Sequence, residues 1–173
     1  MKRHAFTLVE LLVVIAIIGL LSTVAVVSTN SSKMNARNAQ RKANLVQISK
    51  ALELYFSQNN GYPSTSDQWW GVTSTYYSHS DSGASGWIPN LAPTYIGVLP
   101  RDPNTGKVNP SSALAACQTT ATENNFIYRS DGVDYKLLAH CIPEGTMAAN
   151  DPFIDPQRTT WAWGIFTPNA RNW

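Results

Sequence analysis

Charge is scarce in this chain. Only 14% of its 173 residues are Asp, Glu, Lys or Arg, and the formal net charge is +2. A surface that clasps a polyanion needs a basic surplus, so nucleic acid is not a favoured partner. Cysteine occurs twice, at Cys117 and Cys141, with no C-x-x-C pair, which excludes a dithiol redox motif and the common zinc-finger spacings. The three histidines, His4, His79 and His140, form no H-x-x-x-H pair, and neither a Walker sequence nor G-x-S-x-G occurs. No enzyme constellation is therefore present, and no catalytic residue or cofactor-binding residue is assigned. Proline is absent before Pro63, so nothing in the first third breaks a helix in the way proline does.

What the first third does contain is hydrocarbon. From Phe6 to Val27 the run is almost continuously apolar, and Glu10 is its one charge. About 22 residues at 1.5 Å each make a helix of roughly 33 Å, enough to cross a bilayer core of ~30 Å. Lys2 and Arg3 precede the run as they would in a secretory signal. The run is longer than an ordinary signal core, Glu10 interrupts it, and its best small-residue exit, Thr23-Val24-Ala25, is weak, so removal of the whole segment is not expected. A bare count of basic residues, with Lys33, Arg37, Arg41 and Lys42 after the span, would put the N-terminus outside. The two cysteines instead suit an extracytoplasmic C-terminal part, and the expected topology is N-terminus inside.

A carboxylate inside such a span costs roughly 2.5–3.5 kcal/mol at the centre and less near an interface. The helical neighbours of Glu10 at three and four residues are Phe6, Thr7, Val13 and Val14, none of them basic, and no Lys or Arg lies between Phe6 and Ser32. Either Glu10 is an interfacial carboxylate without a role, or its cation comes from another chain or from a new amino terminus.

"RHAFTLVELLVVIAIIGLL" resembles the N-terminus of type IV pilins and of the pseudopilins of type II secretion systems. Carried over by position, the resemblance implies that Ala5 ends a short leader, where the family usually has Gly. Phe6 is then the first mature residue, exposed by cleavage between Ala5 and Phe6 and N-methylated by a prepilin peptidase. Thr7, Leu8 and Val9 complete the match, and Glu10 of one subunit would pair with the Phe6 ammonium of its neighbour as a filament assembles. A buried carboxylate is tolerable with such a partner and costly without one. Processing would take Lys2 and Arg3 from the 13 basic residues, leaving 11 against 11 acidic ones. A near-neutral subunit suits packing against copies of itself or related pilins.

Beyond the span, Leu45, Ile48, Leu52 and Tyr55 recur at helical spacing with Phe56 adjacent, a narrow apolar stripe on a polar helix. Lys33, Arg37 and Arg41 form another line, expected as a solvated basic face, with a filament interface or lipid headgroups as the alternative. Asn59-Asn60-Gly61, with Pro63 beyond, reads as the helix stop. Residues 64–98 show no period, and "VLPRDPNTGK" reads as turns. "NFIYRSDGVDYKLLAHC" reads as a hairpin turning at Ser130-Asp131-Gly132. "GYP", "LPRDP" and "YRSDGVDYKL" also look pilin-like, extending the resemblance weakly over the chain. Cys117 and Cys141 bracket the hairpin; in an exported domain a disulfide between them is expected, and in a reducing compartment two buried thiols. Trp161-Ala162-Trp163 reads as a last strand packing both indoles on the helix, with an exposed aromatic patch as the alternative.

The expected fold is α+β and pilin-like: leader 1–5, one long helix over 6–60 with a membrane span at about 6–27, and a loop-rich head over 61–173 built on a small antiparallel sheet. Major pseudopilins often carry calcium in the C-terminal loop, and Asp131, Asp134, Asp151 and Asp155 are the candidate oxygen ligands here. Their spacing matches no loop motif, so no metal or other cofactor is expected, and this tips the reading toward a type IV pilus-like filament. The subunit would sit in the cytoplasmic membrane before assembly and in a cell-surface or periplasm-spanning filament afterwards. The alternatives are a type II secretion pseudopilin, a minor tip subunit acting as an adhesion module, and a membrane-anchored domain that never polymerises.

Overall fold

A computed structural model describes residues 6–173, with side chains at 23–28 excepted. The expected leader, with Ala5, lies outside the described residues. The first element, α1, is a 52-residue helix over Leu8–Asn59, and two compact units divide within it, after Arg37.

In the first unit the apolar side chains are exposed on every side of the helix. Leu8, Val9, Leu11 and Leu12, spread around its circumference, are all more than half exposed. Ser22 satisfies its hydroxyl internally by donating to the Ile18 carbonyl at 2.7 Å. Among the residues whose side chains are described, no helix is long and apolar enough to cross a membrane. The expected span at 6–27 includes positions 23–27, outside that set.

The second unit begins at Asn38 and is organised by the stripe on α1. Leu45, Ile48 and Leu52 are fully buried, while Phe56 remains partly exposed at the stripe's edge. The helix ends as its sequence predicts. Asn60 takes a positive φ of 55° and donates its N–H to the Phe56 carbonyl at 2.8 Å. Gly61 then passes so close to the hairpin turn that a Cβ there would lie 2.9 Å from the Gly132 carbonyl oxygen. Tyr62 N–H donates to that same oxygen at 2.8 Å.

Four strands follow: β1 (Trp70–Gly71), β2 (Asn125–Ser130), β3 (Tyr135–His140) and β4 (Ala162–Phe166), with a short helix α2 (Ala115–Thr119) before β2. They form one antiparallel sheet in chain order. The hairpin expected from the sequence is β2–β3, its turn held by Asp131 Oδ1, which accepts the N–H groups of Val133 and Asp134, both at 2.8 Å. Alternation along the strands separates two faces. Phe126, Tyr128, Leu137, Ala139 and Trp163 join the helix stripe, together with Trp87, Ile88, Leu91 and Leu99 from the loop region. Ile127 and Leu138 face the other way, against Tyr76 and Trp69. Every residue of β3 is buried, so this strand is covered on both faces.

The expectation for the tail holds for one indole. Trp163 is buried, with Lys42 of α1 4.5 Å above its ring. Trp161 stands before β4 begins, so strand alternation does not reach it. Its ring meets His140 edge-on at 4.9 Å instead.

Candidate functional site

The carboxylate in the apolar run is engaged within its own chain. Thr7 is the residue before α1, and Glu10 is the third residue of the helix. Glu10 N–H donates to Thr7 Oγ1 at 3.3 Å, and Thr7 N–H donates to Glu10 Oε2 at 2.8 Å. This is a reciprocal capping box, which satisfies two backbone donors that a helix start otherwise leaves open. The Thr7 hydroxyl also donates to Oε2 at 2.8 Å, and among the described residues none donates to Oε1. Looking only for a basic neighbour misses this arrangement because Thr7 is neutral. The T-x-x-E spacing was the available signal. Phe6, beside it, is 84% exposed.

Twelve large apolar side chains between Phe6 and Leu21 are exposed. Burial of each such side chain is worth about 1.5–3 kcal/mol, so a drive on the order of 20 kcal/mol favours covering this segment. A helix apolar all round belongs in a bilayer or inside a bundle of like helices.

Arg41, expected on a solvated basic face, is 1% exposed. Its guanidinium meets Asp102 through Nε at 2.5 Å and Nη2 at 3.1 Å, Glu144 at 2.7 Å, and the Asn38 side-chain oxygen at 2.8 Å. Asn104 completes the cluster by donating to Asp102 and to Glu144. The signal was present in the spacing, since Arg41 stands one turn before Leu45 and so lies in register with the buried stripe. The partners lie 61 and 103 positions away, beyond any local pattern. Lys42 likewise pairs with Asp151.

Cys117 and Cys141 are joined in a disulfide, with both residues buried. Beside it, His140 Nδ1 donates to the Glu123 carbonyl at 2.8 Å, and Tyr76 Oη donates to the Glu123 carboxylate at 2.6 Å. Burial holds His140 below its ordinary pKa, partly opposed by Glu123. Glu123, His140 and Cys141 are the one group of three potential ligand side chains that converge among the described residues. The sulfur is spent in the disulfide and Nδ1 in a backbone bond, so the group does not make a metal centre.

The four candidate calcium ligands do not fit a calcium site either. Asp131 caps its own turn, Asp134 accepts from Asn169 at 3.1 Å, and Asp151 is paired with Lys42. Asp155 is fully buried against two cations, Lys136 at 2.5 Å and Arg158 at 3.2 Å. Lys136 was missed in the sequence, although a lone charge inside "YKLLA" is the same kind of signal as Glu10.

Residues 1–26 match the family described as the prokaryotic N-terminal methylation motif. The chain is 32% identical over 107 residues to type II secretion system core protein G of Escherichia coli strain K12, covering 59% of this chain and 67% of that protein. It is 30% identical over 102 residues to the protein of the same name from Klebsiella michiganensis, covering 59% of this chain and 68% of that one. To the Pectobacterium carotovorum protein of that name it is 36% identical over 64 residues, 37% of this chain and 41% of the relative's length. No solved structure matches.

Proposed function

Because the chain belongs to the family of type II secretion system core protein G, we propose that it is a pseudopilin, a structural subunit that polymerises through its N-terminal helix into the filament of a secretion system. One observation carries the choice over a surface pilus. A match of 107 residues cannot fit within the 59 residues up to the end of α1, so it includes part of the head as well as the helix that pilins share. The reading that tipped toward a type IV pilus therefore gives way to its alternative, while the filament subunit itself stands.

In this reading prepilin peptidase cleaves between Ala5 and Phe6 and methylates the new Phe6 ammonium. The subunit waits in the cytoplasmic membrane with its head outside, and assembly moves the apolar helix from lipid into a bundle of like helices. Glu10 then serves twice. Through Oε2 it caps its own helix, and through Oε1 it meets the Phe6 ammonium of a neighbour. The cap holds the carboxylate in place before the partner arrives, so little side-chain entropy is lost on pairing.

Two measurements test this. Intact mass and N-terminal sequencing of the protein, recovered from a host with its own prepilin peptidase, should give a start at Phe6 with one added methyl; a start at Met1 removes the ammonium and with it the pairing. Deleting the gene in its own host should stop export of secreted enzymes while surface pili persist. Loss of pili with secretion intact would return the pilus reading to first place.

A further inference from the structure

The one charge inside β3 has an arrangement that the filament does not use. Lys136 is fully buried, and its ammonium lies 2.5 Å from Asp155 Oδ2. It also donates to the backbone oxygens of Arg171 at 2.9 Å and Trp173 at 3.0 Å, and the Phe166 ring lies 5.2 Å away. A carboxylate and two backbone oxygens converging from separate stretches of the C-terminal segment are the donors a hard cation takes. Here they are filled by an ammonium that the central strand supplies.

Asp155 is committed further. Its Oδ1 accepts from the Arg158 guanidinium at 3.2 Å and from the Gln157 N–H at 3.2 Å. Arg158 in turn donates to the Trp173 oxygen at 2.9 Å. One carboxylate thus already faces two cations, and a divalent ion entering the same place would meet repulsion from both at low dielectric. Calcium, which takes six to eight oxygens, would also need ligands that the other three aspartates commit elsewhere.

We propose that Lys136 is a built-in cation of this head, closing the segment from Asp155 to Trp173 in place of a bound divalent ion. The inference concerns how the head is held and is independent of which filament it enters. A tethered ammonium is supplied by the chain and needs no ion from the medium, so the head keeps its form where divalent ions are depleted.

The test is thermal unfolding of the full chain in detergent, followed by tryptophan fluorescence, with chelator and then with millimolar calcium. The wild-type midpoint should be the same in both. Lys136→Ala should unfold roughly 10 °C lower, the loss expected when a buried charge loses its partner. Methylammonium, which replaces the lost cationic tip of the side chain, should restore part of that loss by entering the vacated oxygen set. A wild-type midpoint that rises with calcium or falls with chelator overturns the proposal, as does Lys136→Met unfolding at the wild-type temperature. If Lys136→Ala does not fold, the wild-type response to calcium decides by itself.

Discussion

At the scale of single residues, three ionisable side chains explain much of the molecule, and each is resolved differently. Glu10 is resolved locally by the Thr7 cap, so charge and capping can be separated. Glu10→Gln keeps an oxygen for the Thr7 N–H but removes the charge; filament yield by electron microscopy should collapse while helix content by circular dichroism is unchanged. Arg41 is resolved at long range by Asp102 and Glu144. Arg41→Met leaves two carboxylates without their cation, and denaturant unfolding should show a loss of about 3–5 kcal/mol. His140 is resolved by staying neutral. Its pKa is held below the unfolded value of about 6.5, so the unfolded chain binds the proton first and stability is lost as pH falls through that value. His79 is shifted the same way by burial. Unfolding midpoints between about pH 7 and 5 should therefore fall with acid, by at most about 1.4 kcal/mol per pH unit for one proton. His140→Gln should flatten the slope without abolishing it.

Among the elements, α1 is one continuous helix whose two stretches obey different rules. From Leu8 to Leu21 it is apolar all round apart from Glu10, and from Asn38 it carries a stripe for a core. Its end is fixed by a contact as well as by a stop signal. Gly61→Ala would press a methyl against the Gly132 carbonyl, and the expected cost, read from a thermal melt, is about 1–3 kcal/mol. The helix stop, the stripe and the β2–β3 hairpin were legible because periods of 3.6 and 2, and turn residues, are local signals. Strand β1 was not legible. Two residues, Trp70 and Gly71, carry no period, and they count as a strand only because Tyr128 and Ile127 lie opposite.

For the whole molecule, the head has a core of its own, an internal ion network and a disulfide, whereas the exposed apolar helix is complete only in lipid or among other helices. The Cys117–Cys141 bond spans 24 positions, and a loop of that size is worth about 3 kcal/mol in the chain-entropy account. Reduction should lower the unfolding midpoint of the head accordingly. The far-ultraviolet signal of the helix should persist in detergent, because the first stretch of α1 draws nothing from that bond.

The sequence by itself determined the features with a local period or turn signal: an apolar run with one carboxylate, a stripe, a hairpin, two cysteines around it. Those follow from neighbours within a few residues, where covalent geometry dictates who meets whom. Only the tertiary structure decided where the charges go. That Arg41 is buried, that Asp155 meets Lys136, and that the two tail indoles part company all depend on residues brought together across the chain. The desolvation of a charge is settled by those distant partners and by nothing in its own stretch of sequence.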